Sequence, residues 1–557
     1  MAMVNLNGHS LYVGAGRDFN MKNWATNKTS TNQFTDLTIS GKVTGEGQLV
    51  INNEKTVFLQ NTANDYKGGT VIEYGTLSAL NTRVLGTGNV TVTDGGVLIL
   101  NNPSENGGTN NLTVTVENGG AIKPSGALGT VTIDLKTGSV MTASSGISAV
   151  NIKGTGTINV PGYFDAGGFN ASEFAGTINL EKDRYRVGGA NKLGSSEVTV
   201  NVKNGAQLWL INSGLVTGTF NLAGMGTANN PDGMGAIRLE TTSKIGGQVN
   251  LLADACISTF YNQEEGNAKD IQASVNLNDY TLYLGAGPAY DPTTYVWGTG
   301  YWFTDVTVSG KVSGNGRLAI NNTKTVYLTN TNDYTGKTQV LAGTLALNAE
   351  NAVAKSGEVV NNTAITFSKN QTLQNLSGEK ETATITGANG TTLTLFNSKN
   401  TSYAGDLAVK NLVFGNGAAD AGVGTLEILG DVSTLENLTL DIGVTESGAD
   451  KLVLSAFDPT KTELNVSMTL ADGMEFASGM EYEILSVKDG ALSSAFNWQS
   501  VSDALSNLDN WNFYLNENGI LMAGVNAAKY PEPSTFVLLV LGVGFMFWRK
   551  RKTKQVA

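Results

Sequence analysis

The chain repeats itself over a long distance. Asn5-Leu6-Asn7, followed by Leu11-Tyr12-Val13-Gly14-Ala15-Gly16, returns as Asn276-Leu277-Asn278, followed by Leu282-Tyr283-Leu284-Gly285-Ala286-Gly287, an offset of 271 residues (5 to 276). Asp36-Leu37-Thr38-Ile39-Ser40-Gly41-Lys42-Val43 returns as Asp305-Val306-Thr307-Val308-Ser309-Gly310-Lys311-Val312, now at 269 (36 to 305). Asn64-Asp65-Tyr66 and Gly75-Thr76-Leu77 return as Asn332-Asp333-Tyr334 and Gly343-Thr344-Leu345 at 268 (64 to 332). Residues 5–100 thus match 276–370, and the three-residue drift falls in loops, where length changes are tolerated. A repeat of this size fixes the architecture before any local reading does.

Inside each copy runs a shorter rhythm. Leu37-Thr38-Ile39, Gln48-Leu49-Val50-Ile51, Thr56-Val57-Phe58-Leu59, Val90-Thr91-Val92 and Val97-Leu98-Ile99-Leu100 are strand-length apolar or alternating runs, separated by Gly, Asn, Asp and Thr turns. The rhythm continues through Leu112-Thr113-Val114-Thr115-Val116, Val131-Thr132-Ile133, Val198-Thr199-Val200 and Gln207-Leu208-Trp209-Leu210. Before the C-terminal tail only Val501 to Leu508 carries a weak helical period. A sandwich domain holds about 100 residues, well short of the repeat found here. The pattern predicts an all-β fold, a parallel β-helix or β-solenoid. Ala, Val, Ile and Leu fill its bore, while Thr and Asn take the faces and corners. Coils of about 20–25 residues stacked at about 4.8 Å would form a rod of order 100 Å.

Composition narrows the function classes. Charged residues are 15% of the 557, and the net charge of −12 argues against a nucleic-acid partner, which needs a basic face. A single cysteine, Cys256, excludes an intramolecular disulfide, and its apolar surroundings predict a buried thiol. His9 is the one histidine, so His/Cys zinc sites are excluded on inventory.

Asp65-Tyr66-Lys67-Gly68-Gly69-Thr70-Val71-Ile72 with Gly75-Thr76-Leu77 resembles the autotransporter-associated β-strand repeat. So does Asn332-Asp333-Tyr334-Thr335-Gly336-Lys337-Thr338-Gln339-Val340 with Ala342-Gly343-Thr344-Leu345. Weaker echoes are Glu173-Phe174-Ala175-Gly176-Thr177-Ile178 and Ser402-Tyr403-Ala404-Gly405-Asp406-Leu407. The resemblance touches much of residues 1–430 and implies a right-handed parallel β-helix of the kind found in surface-displayed passengers. It departs from that family at the C-terminus, where a tail stands in place of a membrane β-barrel. Because residue 5 aligns with residue 276, the chain is expected to start inside a repeat, with its true N-terminus and export signal missing.

The tail reads Pro531-Glu532-Pro533, an uncharged apolar run from Phe536 to Trp548, then Arg549-Lys550-Arg551-Lys552. It resembles the PEP-CTERM sorting signals of Gram-negative bacteria, which implies recognition by an exosortase-like enzyme and a destination at the cell envelope or outside the cell. As a helix the run would span roughly 20 Å against a hydrocarbon core of about 30 Å, so it suits a transient transmembrane stop held by its basic end better than a permanent anchor. The expected organisation is therefore a β-helix over 1–433, final coils and a cap over 434–525, and a sorting tail over 526–557 with a short hydrophobic helix at 536–548.

No catalytic set, metal site or cofactor motif stands out. Glu181-Lys182-Asp183-Arg184-Tyr185-Arg186 is the densest ionisable cluster and reads as a solvated turn; Asp254 with Glu264 and Glu265 reads as surface charge. Neither recurs in the other copy. Aromatic residues offer a binding alternative: Tyr290, Tyr295, Trp297, Tyr301 and Trp302, with Phe303, follow Gly287, where the first copy has Phe19, Trp24 and Phe34. Such rings either stack on sugars or protein partners or fold back over apolar rungs. The leading expectation is a non-enzymatic surface or matrix protein for adhesion or envelope structure, with polysaccharide or other surface proteins as partners. The alternatives are a secreted carbohydrate-active β-helix enzyme, lyase- or hydrolase-like, and a carbohydrate-binding module.

Overall fold

The structure is a computed structural model that describes residues 3–27, 33–101, 111–227, 235–260, 269–289, 303–415, 422–458, 460–472, 474, 479–488, 490, 492 and 511–525. It is a parallel β-solenoid of about 18 turns with very little helix. The chain divides into two compact units. The first holds Met1–Asn276, Gly285–Tyr290 and Val296–Phe303; the second holds Leu277–Leu284, Asp291–Tyr295 and Thr304–Ala557. The division falls where the second repeat copy begins.

In the first unit each strand pairs in parallel with strands of neighbouring turns. Leu49–Leu59 lies on Thr70–Ala79, which lies on Val90–Val92 and Gly96–Leu100. Register makes the interior a stack of like on like. Val57, Leu77, Leu98, Ile122, Met141, Ile158, Ile178, Val200, Phe220, Val249 and Val275 follow one another up a single column. None is more than 1% exposed. Each buried apolar side chain contributes about 1.5–3 kcal/mol, which is why the period-two pattern holds in strand after strand.

The second unit is built alike. Val326, Leu345, Ile365, Ile385 and Leu407 form its interior column. Parallel pairing continues through Asn411–Gly415, Asn437–Thr445 and Glu463–Leu470. It then gives way to antiparallel pairing. Glu481–Val487 pairs with Leu521–Val525, which pairs with Trp511–Leu515. A change of direction of this kind stops a parallel stack from offering its open end to another chain.

The duplicated motif residues make the same contacts in both units. Tyr66 and Tyr334 are buried, and each hydroxyl lies 2.6 Å from a threonine hydroxyl four residues on, Thr70 and Thr338. Asn64 and Asn332 each accept from the backbone of the previous turn, Val43 N and Val312 N, at 2.8 Å. Their amides donate onward to Val84 O and Ala352 O. Gly75 and Gly343 have φ of +80° and +74°, and a Cβ there would sit 1.6 Å from Asn53 O and 1.9 Å from Asn322 O. No other residue fits such a corner.

One element departs from the sequence expectation. Met21–Asn27 is a two-turn helix in a stretch expected to carry none. Asn20 caps it, its side chain accepting from Asn23 N at 2.8 Å, and Met21 is buried beneath it. Seven residues are too few to display a helical period, so only the cap was there to be read. Among the described residues no helix is long and apolar enough to cross a membrane. Val501 to Leu508 and the apolar run 536–548 lie outside the described residues.

Candidate functional site

Most of the residues singled out by sequence lie outside the described residues: Tyr290, Tyr295, Trp297, Tyr301, Trp302, the triplet Pro531, Glu532 and Pro533, and the basic cluster Arg549, Lys550, Arg551 and Lys552. Phe303 is described and is buried, its ring 4.7 Å from that of Phe260. The first-copy rings Phe19, Trp24 and Phe34 pack on one another, with centroids 5.2–6.4 Å apart. Phe19 remains 39% exposed, so this trio both covers and is available.

The ionisable cluster at 181–186 does not converge on a point. The strand Asp183–Val187 sends alternate side chains in and out, so Tyr185 is buried while Arg184 and Arg186 face outward. Glu181 pairs with Lys203 at 2.6 Å and Arg186 with Asp165 at 2.6 Å, each a partner from an adjacent turn. Register places Asp165, Arg186, Trp209 and Arg238 one above the other. The Arg186 and Arg238 guanidiniums therefore lie on the turns either side of the Trp209 indole, 5.3 and 4.9 Å from its centroid. Each such contact is worth about 0.5–2 kcal/mol. The indole faces are thus engaged by cations from its own chain, which makes this stack a brace between turns. Arg238 also pairs with Glu240, both almost fully buried, and its guanidinium lies over Phe260. A buried pair of this kind offsets its own desolvation only while both partners stay in place.

Cys256 is fully buried, and burial pushes its thiol pKa well up, away from a reactive thiolate. Among the described residues no group of three or more His, Cys, Asp or Glu side chains stands close enough to hold a metal ion.

A second surface of the first unit was not foreseen. Six turns carry the same short phrase: Thr157-Ile158-Asn159, Thr177-Ile178-Asn179, Thr199-Val200-Asn201, Thr219-Phe220-Asn221, Gln248-Val249-Asn250 and Ser274-Val275-Asn276. Strand pairing holds all six in register. The middle residue of each points into the bore and is buried. The two flanking residues face outward, so the sheet bears one hydroxyl-rich column and one asparagine column. The asparagines are linked side chain to side chain. Asn179 donates to Asn159 at 2.9 Å, Asn201 to Asn179 at 2.8 Å, Asn221 to Asn201 at 2.8 Å and Asn250 to Asn221 at 3.0 Å. Neither column contains a charge or a ring. The turns just before it interrupt this surface: the same outward positions hold Val97, Ala121 and Val140 in one column and Ile99, Lys123 and Thr142 in the other, although Thr76 and Ser78 occupy them one turn earlier. The signal was available as a phrase recurring at about one turn's spacing, but it is too short to stand out among the many Thr and Asn residues of the chain.

No known family's sequence profile matches the chain. It is similar to an uncharacterized lipoprotein, YdeK, of Escherichia coli K12, at 26% identity over 336 residues, covering 58% of the chain and 21% of that protein. It is also similar to the adhesin BmaC autotransporter of Brucella suis biovar 1, at 29% identity over 262 residues, covering 44% of the chain and 7% of that protein. The chain thus spans about a fifth of the length of the first relative and far less of the second. Joined to the parallel solenoid, these likenesses fit an autotransporter-like β-repeat protein.

Proposed function

We propose that the protein is a non-enzymatic component of the cell surface or extracellular matrix that uses its β-solenoid for adhesion or envelope structure. The observation that carries this reading is the parallel solenoid itself, taken with the likeness to an adhesin autotransporter and to a lipoprotein. The outward chemistry supports it. Charged side chains pair between neighbouring turns, as Lys42 does with Asp65 and Lys203 with Glu181. Groups committed in this way brace a scaffold and do not converge on a reacting atom. Polysaccharide or other surface proteins are the proposed partners. Sorting is assigned to the C-terminal tail, with Pro531-Glu532-Pro533 read by an exosortase-like enzyme and Arg549 to Lys552 as a basic stop on the cytoplasmic side of the membrane.

The test is expression in a Gram-negative host that carries a PEP-CTERM sorting system, followed by protease shaving of intact cells and adhesion to abiotic and glycan-coated surfaces. Accessible protein and a gain in adhesion are expected. Substitution of Pro531, Glu532 and Pro533 by Ala should leave unprocessed protein in the membrane fraction. Protein confined to the cytoplasm would overturn the reading, and sugar release from acidic or neutral polysaccharides by the purified chain would replace it with the enzymatic one.

A further inference from the structure

We infer that the threonine and asparagine columns of the first unit form a water-ordering face that binds ice. This goes beyond the proposed surface role and does not depend on it.

The argument rests on regularity in two directions. Turns of a parallel solenoid repeat at about 4.8 Å, and outward residues two apart on a strand are about 6.6 Å apart. The six phrases therefore place polar outward residues in a regular array, two columns wide and six turns long. Planes of hexagonal ice likewise present oxygen atoms in rows that repeat regularly in two directions. A surface meant for a single small ligand needs no such repetition.

The chemistry of the two columns fits the same occupant. Thr157, Thr177, Thr199 and Thr219 each carry a methyl and a hydroxyl, and those hydroxyls make no hydrogen bond among the described residues. Their β-branched side chains have few rotamers, so hydroxyl positions repeat from turn to turn. In the asparagine column each ladder bond uses one amide hydrogen and one carbonyl lone pair. At Asn179, Asn201 and Asn221 the second hydrogen and second lone pair remain for water, and the ladder holds these three amides in the same orientation. Water on this face meets donors and acceptors already fixed in place, which removes much of the ordering cost of binding.

The features that recognise a sugar or a protein are missing from the two columns. They hold no aromatic platform, no guanidinium and no carboxylate, the groups that anchor such partners. The guanidinium and indole groups of this unit stand in a different register, around Trp209.

Purified full-length protein tests the inference. It should partition into a slowly growing ice hemisphere, show thermal hysteresis with faceted crystal growth, and inhibit ice recrystallisation. Thr177→Lys with Thr199→Lys puts charge and bulk in the middle of the array and should abolish most of the hysteresis. Thr115→Lys, on an outward position of a different column, should leave it unchanged. Circular dichroism and hydrogen exchange of the variants check that the solenoid persists; if the double variant does not fold, Thr199→Val keeps the shape and should still lower the hysteresis. Exclusion of the unaltered protein from ice, with no hysteresis, would overturn the inference. So would equal activity in the Thr177→Lys, Thr199→Lys variant, or retention on an insoluble polysaccharide that this variant alone loses while ice shows no effect.

Discussion

The duplicated motif and the threonine–asparagine turns are repeats of different kinds. What recurs between residues 5–100 and 276–370 faces inward or sits at corners: Tyr66 and Tyr334 on their threonines, Asn64 and Asn332 bridging turns, Gly75 and Gly343 under a carbonyl. What recurs from Thr157 to Asn276 faces outward in the flanking positions. The recognisable motif therefore describes how the solenoid is held together. A surface with a task is better sought where the outward positions repeat and the motif does not. Four measurements can break or sharpen this division.

The largest effect is expected in the duplicated core. Tyr66→Ala and Tyr334→Ala each empty a large buried site, and each should cost about 3–5 kcal/mol; Thr70 loses its hydroxyl partner, while Thr338 keeps Ser356 at 2.9 Å. Because turns of a solenoid are coupled mainly to their neighbours, the loss belongs to the mutated unit, and amide exchange resolved along the chain should show it there. Matching losses in the two units would establish the motif as scaffold. A near-silent substitution in one copy would mean that the equivalence is only geometric.

Next comes a buried carboxylate without a counterpart in the first copy. Asp450 accepts from Gly424 N at 3.0 Å and Gly443 N at 2.9 Å, yet burial raises its pKa from 3.8 to about 6. A carboxyl whose pKa is raised by folding binds its proton more tightly in the native state. It therefore adds stability below about pH 4, which is lost as pH rises through about 6, a swing of roughly 3 kcal/mol. Denaturant melts of the second unit from pH 3.5 to 7 should lose stability across this window, on top of the background from exposed carboxylates. In Asp450→Asn that component should vanish. An unchanged pH profile in the variant would show that the two backbone donors already stabilise the ionised form enough to cancel burial.

Asn64→Ala and Asn332→Ala come third. Each strips the partner from a buried backbone N–H, Val43 or Val312, at a cost of about 1–3 kcal/mol. Exchange at those two amides should accelerate more than at their neighbours, and to the same extent in both units.

How far the sequence could lead follows the same division. The parallel solenoid was legible because alternation of apolar and polar residues is enforced in every turn by burial, as the column from Val57 to Val275 illustrates. The equivalence of the two copies was legible because corner glycines and large buried rings accept few replacements. The helix Met21–Asn27 was not, being shorter than its own period requires. Nor was the guanidinium–indole stack, since Asp165, Arg186, Trp209 and Arg238 are 21 to 29 residues apart and meet only through register. The six Thr/Asn phrases failed to announce themselves for a related reason: outward positions are free to vary, so a pattern there is visible only once the turns have been aligned in space.

The smallest effect should come from the asparagine ladder. Asn201→Ala removes two side-chain hydrogen bonds, to Asn179 and from Asn221. A hydrogen bond nets about 0.5–1.5 kcal/mol when buried, but these amides are half-exposed and water takes over much of what is lost, so the total should stay near 1 kcal/mol or less. Urea melts followed by exchange at Ile178, Val200 and Phe220 would measure it. A loss close to that of Tyr66→Ala would make the ladder a structural brace of the same rank as the core. A small loss would instead leave five turns of ordered amides that the fold scarcely needs, and that is the condition under which an outward face is free to serve something outside the molecule.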